Sequence, residues 1–131
     1  MIKEGDMKKY KFTGETARLG DVTLNQIVAV RDFGDVKAGD VGGWIEREIN
    51  LSQDGGAWVS GDGCVFGNAR VFGNANVSST ARVFGDSRVL DEATVTDNAR
   101  VFGDAVLSGD VVISGNTMVL NSESVVDTME S

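Results

Sequence analysis

The 131-residue chain contains no histidine, and Cys64 is its one cysteine. Histidine is the side chain that most often serves as a general base and as a metal ligand in enzymes. A single thiol can form neither an internal disulfide nor a zinc site. We therefore expect a protein from a reducing compartment that binds no metal or cofactor and is not an enzyme.

Proline is also absent, and so is any long apolar run. Proline lacks the N–H that a strand ladder needs, so its absence is typical of a fold in which nearly all strands are internal. No segment approaches the roughly 18 apolar residues of a membrane span, and no apolar run follows the charged N-terminus. These features predict a cytoplasmic protein without a membrane contact.

Positive charge is scarce, since 12 Lys and Arg residues face 20 Asp and Glu residues and the net charge is −8. An acidic protein repels the phosphates of nucleic acids, which argues against direct binding of DNA or RNA. We interpret the negative charge first as a means of keeping the protein in solution, with a partner protein that has a basic surface as the alternative.

The sequence does contain a regular repeat. Among the 17 glycines many recur at a fixed spacing, within the hexapeptide A-x-V-x-G-[DN]. Twelve hexads follow one another without a break over residues 57–128. Their branched aliphatic position is occupied by Val59, Val65, Val71, Val77, Val83, Val89, Val95, Val101, Leu107, Ile113, Val119 and Val125.

The spacing predicts the fold. Side chains alternate between the two faces of a strand, so the valine and the small residue two positions earlier point inward. Gly followed by Asp or Asn supplies a corner, because these residues tolerate positive φ. Three hexads then close one triangular coil, and coils stack at about 4.8 Å through strand pairing. The sequence therefore predicts an all-β protein, a parallel β-helix shaped as a triangular prism.

The N-terminal third has a different pattern. The β-rich segments 9–13 and 23–30, with the turn signal Gly20-Asp21 between them, predict a β-hairpin cap within residues 1–38. Val41 lies one full coil, or three hexads, before Val59, which predicts an imperfect first coil over residues 39–56, with Leu51 beneath Ala69. The prism would then have four to five coils, followed by a tail at 129–131.

The repeat resembles the hexapeptide-repeat family that forms left-handed β-helices. That family has an aliphatic residue at i and a small one at i+4, as in Val59/Gly63 and Val65/Ala69. The turn glycine departs from the family pattern because it lies at i+2 rather than i+1. The left hand of the helix is implied by this resemblance. The string GNARVFGNANV and the segment 31–59 also resemble uncharacterised hexapeptide-repeat proteins of phages and prophages, which implies the cytoplasm of a bacterial host.

Enzymes of this family act through residues that the chain lacks. The acyltransferases use a histidine base, and the γ-class carbonic anhydrases bind zinc through three histidines. We interpret the carboxylate pairs Asp86/Asp104 and Glu92/Asp110 as corner residues, with a site for a hard cation such as calcium as the alternative. Cys64 has no base beside it and is interpreted as an inert thiol.

Outward positions that are three hexads apart fall in columns. The residue after the valine is Phe66, Phe84, Phe102 and Leu120 in one column, and Arg82 and Arg100 share that face. The second column begins with Phe72 and Leu90, and the third holds Ser60, Ser78, Thr96 and Ser114. Aromatic residues with arginine are typical of interfaces, so the aromatic, leucine and arginine positions of the first two columns predict a contact surface. Intramolecular stacking is the alternative.

Three functions are consistent with this sequence. The first is a non-catalytic, self-associating binding protein, a dimer or trimer, which as a phage product would inhibit a host nuclease or defence complex through its acidic surface. The second is a structural accessory protein of a phage. The third is a degenerate hexapeptide acyltransferase.

Overall fold

A computed structural model describes residues 8–121 of the chain. Over this range the protein is all-β apart from one short 3-10 helix, and its parallel strands stack into a β-solenoid of about four turns. The predicted fold class is therefore confirmed. The expectations for the hexad around Val125 and for the tail at 129–131 lie outside the described residues.

The chain begins with an antiparallel hairpin formed by β1 (Tyr10–Leu19) and β2 (Val22–Ala29). Its turn lies at Gly20-Asp21, as predicted. β1 continues well beyond the predicted strand end at position 13. A register shift between Phe12 and Thr16, with Gly14 at a φ of 102°, bends the strand without ending it.

After a connection at residues 30–40, β3 (Val41–Ile45) joins the hairpin to the solenoid, because it pairs antiparallel with β2 and parallel with β5. Ile45 pairs with Val65, so the first coil is two residues longer than the three hexads of a later coil. The predicted alignment of Val41 with Val59 is wrong, because Val41 pairs with Val28 in the hairpin and is 57% exposed.

The two extra residues lie between Leu51 and Val59, because these residues pair with Val71 and Val77 and are eight positions apart where their partners are six apart. The preceding corner contains a 3-10 helix at Glu48–Asn50. The side chain of the buried Asn50 holds this corner: it donates to the carbonyl oxygens of Gly67 and Ala69, and accepts from two backbone N–H groups of its own coil. The predicted position of Leu51 beneath Ala69 is wrong, because Leu51 pairs with Val71.

Each later hexad contributes one two-residue strand. The strands are β4 (Trp58–Val59), β5 (Cys64–Val65), β6 (Arg70–Val71), β7 (Asn76–Val77), β8 (Arg82–Val83), β9 (Arg88–Val89), β10 (Thr94–Val95), β11 (Arg100–Val101), β12 (Val106–Leu107), β13 (Val112–Ile113) and β14 (Met118–Val119).

These strands form three parallel sheets, which are the three faces of the prism. The first face contains β3, β5, β8, β11 and β14; the second contains β4, β7, β10 and β13; the third contains β6, β9 and β12. Within the repeat, paired residues are three hexads apart, as Val65 and Val83 show. Every third hexad therefore lies on the same face.

The aliphatic position of every described hexad is buried, and the small position of most hexads is buried beside it. Ser87 replaces alanine at one small position, and its hydroxyl donates to the carbonyl oxygen of Phe84 at 2.8 Å. The hydroxyl is thereby satisfied inside the core, where an unpaired polar group would be costly. At the last described coil the small position opens, since Thr117 is exposed.

The hairpin supplies donors to the end of the solenoid. In later coils the carbonyl oxygens of Gly73, Ala75, Val65 and Val71 accept N–H groups from the preceding coil. The equivalent carbonyls of the first coil have no preceding coil. Hairpin side chains reach them instead: Lys9 Nζ contacts Gly55 and Ala57, Tyr10 Oη contacts Leu51, and Asn25 Nδ2 contacts Ile45. The cap thus satisfies acceptors that burial would otherwise leave unpaired.

Candidate interaction surface

A phenylalanine ladder runs along the first face. Phe66, Phe84 and Phe102 follow β5, β8 and β11, and their rings stack with centroids 4.9 and 5.1 Å apart and interplanar angles of 2° and 6°. This spacing is close to that of neighbouring strands, so the backbone register fixes the stack. The rings are half-buried because each covers its neighbour. The predicted column therefore exists, and part of its apolar surface is already used within the chain.

The first face is more exposed to solvent at β14. Met118 in β14 and Leu120, which follows β14, flank Val119, and their exposed fractions are 59% and 51%. No further phenylalanine stands in this column among residues 8–121, so the ladder ends at Phe102 and its outermost ring lies next to Leu120. The result is an apolar patch, which we call the Met118 patch, composed of Met118, Leu120 and the rim of Phe102.

Beside the ladder lies a column that precedes the valines and contains Cys64, Arg82, Arg100 and Met118. Arg82 and Arg100 are direct cross-strand partners. Within residues 8–121 neither guanidinium has a hydrogen-bond or ion-pair partner. Like charges directly opposite each other in a sheet are destabilising, so this pair is unfavourable in the isolated chain.

Phe72 and Leu90 lie on the third face, following β6 and β9, and both are half-buried. The structure therefore divides the predicted surface into two parts, with the ladder, Leu120 and two arginines on the first face and only Phe72 and Leu90 on the third. The second face carries the polar column, in which the hydroxyl of Ser78 donates to that of Thr96 at 2.9 Å.

The carboxylates at the corners accept hydrogen bonds from neighbouring coils. Asp91 and Asp97 adopt φ of 58° and 59° in place of glycine, and each accepts a backbone N–H, from Gly109 and Gly115, at 2.9 Å. Asp86 accepts from the Asn68 amide of the coil below at 3.1 Å. Across residues 8–121 no three His, Cys, Asp or Glu side chains gather in a group that could hold a metal ion.

The thiol of Cys64 is half-buried and donates to the carbonyl oxygen of Asp62 at 3.4 Å. Burial raises the pKa of this thiol, the charge of Arg82 opposes the rise, and that of Asp62 adds to it. A thiol with a raised pKa carries less of the nucleophilic thiolate at neutral pH. This environment agrees with the interpretation of Cys64 as unreactive.

Sequence reasoning missed a second arginine pair and the segment beside it. Arg70 and Arg88 are cross-strand partners on the third face. Their spacing of three hexads is visible in the sequence and could have placed them together. The 3-10 corner at Glu48–Asn50, which lies against β6, could not be found this way because it precedes the repeat.

No family model matches the chain. A search among curated proteins finds 41% identity over 61 residues with the uncharacterized acetyltransferase YdcK of Escherichia coli strain K12. The match covers 40% of this chain and 19% of that protein, so the chain spans about a fifth of the length of the curated relative. This similarity agrees with a hexapeptide-repeat solenoid.

Among residues 8–121 the structure contains no helix that is long and apolar enough to span a membrane.

Proposed function

We propose that the protein is a non-catalytic binding protein that self-associates through the first face. The observation that carries this proposal is the Met118 patch at the end of the phenylalanine ladder. Two large side chains that are more than half exposed lie next to a stacked aromatic column, and such contiguous apolar surface is characteristic of contact sites. A patch that meets its own copy closes by rotational symmetry, which gives a dimer or a trimer.

The acidic character of the chain favours a basic protein as a further partner. In its specific form, this proposal is that a phage-encoded protein inhibits a host nuclease or defence complex. The net charge and the resemblance described above support it. A partner held in this way should be captured from bacterial lysate at low salt and released at high salt, because screening weakens exposed charge pairs.

The double variant Met118→Glu with Leu120→Glu should have a lower oligomeric mass than the wild type at micromolar concentration. Two carboxylates in an apolar contact cannot be desolvated without a large cost. Both side chains are exposed, so the change leaves the core and the ring stack in place. Light scattering after size exclusion measures the mass.

The matched control replaces exposed valines on the other two faces, Val106→Glu with Val112→Glu, whose exposed fractions are 42% and 47%. This variant should keep the mass of the wild type. A wild type that is already monomeric, or an equal loss of mass in both variants, would show that the first face is not the self-contact.

An acetyltransferase is the second candidate function, and the 41% identity with an uncharacterized acetyltransferase favours it. The chain has no histidine to act as the base, and the carboxylates discussed above hold corners. We therefore expect no transfer from acetyl-CoA to amino or hydroxyl acceptors. Release of free CoA above a blank without protein, measured with a thiol reagent on a Cys64→Ser variant, would contradict this and favour the enzyme.

A further inference from the structure

A groove of about 600 Å³ lies on the third face. The first coil forms one wall with residues 48–53, and strands β6 and β9 form the floor. The lining residues are Glu48, Ile49, Leu51, Ser52, Gln53, Arg70, Val71, Phe72 and Arg88. The groove is independent of the Met118 patch, which lies on another face.

The polar groups of the wall are already engaged. Glu48 forms an ion pair with Lys8 at 3.1 Å. The Gln53 side chain accepts the backbone N–H groups of Lys9 and Tyr10. Ser52 accepts the N–H of Asp54 at 3.0 Å. The wall therefore has little capacity left to bind a ligand through hydrogen bonds.

The floor is different. Arg70 and Arg88 are direct cross-strand partners, and in the part of the chain that the structure describes neither guanidinium has a hydrogen-bond or ion-pair partner. Two adjacent guanidinium groups repel each other, and a guanidinium presents a planar fork of donors that matches an oxyanion. An oxyanion bound between them would remove the repulsion and use the free donors.

The groove also offers apolar contact. Ile49 on the wall is 39% exposed, and Phe72 on the floor is half-buried beside Arg70. Leu51 and Val71 close the groove beneath them and are fully buried. A ligand that fits this lining has a charged head for the two arginines and an apolar body for Ile49 and Phe72.

We propose that this groove binds phosphate monoesters that carry an apolar group. A dianionic head can accept from both guanidiniums, whereas a carboxylate carries half the charge. Phenyl phosphate is the simplest probe. Isothermal titration should show it binding at least about tenfold more tightly than inorganic phosphate, which lacks the apolar body, and more tightly than benzoate.

The double variant Arg70→Ala with Arg88→Ala should weaken phenyl phosphate binding by at least about tenfold, because charge-assisted hydrogen bonds are lost. Ile49→Ser should reduce the preference for phenyl phosphate over inorganic phosphate. The matched control is Lys11→Ala with Arg18→Ala, which removes an equal charge from exposed positions of the hairpin and should leave the affinity unchanged.

If the double alanine variant fails to fold, Arg88→Glu serves in its place, since it forms an opposite-charge pair with Arg70 and should keep the sheet intact. Equal weakening in the Arg70/Arg88 variant and in the control variant would overturn the proposal in favour of unspecific attraction. Equal affinity for phenyl phosphate and inorganic phosphate, or no heat of binding with the probe at millimolar concentration, would overturn it as well.

Discussion

Replacing Gly85 with alanine should lower the free energy of unfolding by about 3 kcal/mol. Gly85 has a φ of 72°, and an added Cβ would lie 2.8 Å from the backbone nitrogen of Gly103 in the next coil. That backbone cannot easily move away, because the carbonyl oxygen of Gly103 accepts the N–H of Asp86 at 2.8 Å. The cost combines a left-handed conformation for an L-residue with a contact that forces two coils apart.

Gly61→Ala is the matched control. Gly61 has a φ of 58°, but an added Cβ would lie 3.5 Å from Ser79, an ordinary contact. Only the conformational strain applies there, and it costs about 1 kcal/mol. Urea unfolding followed by circular dichroism gives both values. Equal losses at the two positions would mean that coil spacing does not limit the corners.

Lys9 should make stability depend on pH in an unusual direction. Its side chain is fully buried, and its ammonium group donates to the carbonyl oxygens of Asp54, Gly55 and Ala57, with the Phe33 ring centroid 4.9 Å away. Burial and the charge of Arg31 lower the pKa of Lys9, the charge of Asp54 opposes them, and the net value is about 8. The three hydrogen bonds keep the charged form tolerable at neutral pH.

Between about pH 8 and pH 10.5 the unfolded chain holds a proton on Lys9 that the folded chain has released. Stability rises with pH wherever the unfolded state binds more protons, so the wild type should gain up to about 3 kcal/mol across this range. The gain is measured relative to Lys9→Met, by urea unfolding at each pH. The raised pKa values of Tyr10 and Cys64 act in the opposite direction, and both proteins share them. Parallel curves for the two proteins would contradict the expectation.

The repeat could be predicted from the sequence because the residue types of each hexad determine its local geometry. The valine of each hexad determines which side chains point inward, and a coil of three hexads determines which positions share a face. Ser79, Asp91 and Asp97 adopt the left-handed conformation of the glycines that they replace, so even the imperfect corners follow the pattern. The column of Phe66, Phe84 and Phe102 follows from the same arithmetic.

Features that depend on contacts between different kinds of segment could not be predicted. The first coil is longer than the rest because two extra residues lie between Leu51 and Val59, in a segment without the hexad periodicity. Lys9 at the beginning of a strand is typical of a solvated residue, yet it caps buried carbonyls. One wall of the groove beside Arg70 and Arg88 is formed by residues 48–53, which precede the repeat and carry no hexad pattern. The stacking of the rings, which is part of the candidate surface, depends on their rotamers.

Because all hexads have the same length, adding or removing one hexad rotates the residues that follow by one face about the axis of the prism. Removal of three hexads from the repeat would shorten the prism and leave every later side chain on its original face. Removal of a single hexad, such as 87–92, would turn everything that follows by one face, and Phe102 would then stand above Ser78. Duplication or loss of single hexads is therefore a route by which such a protein can exchange the surfaces that it presents without altering its core.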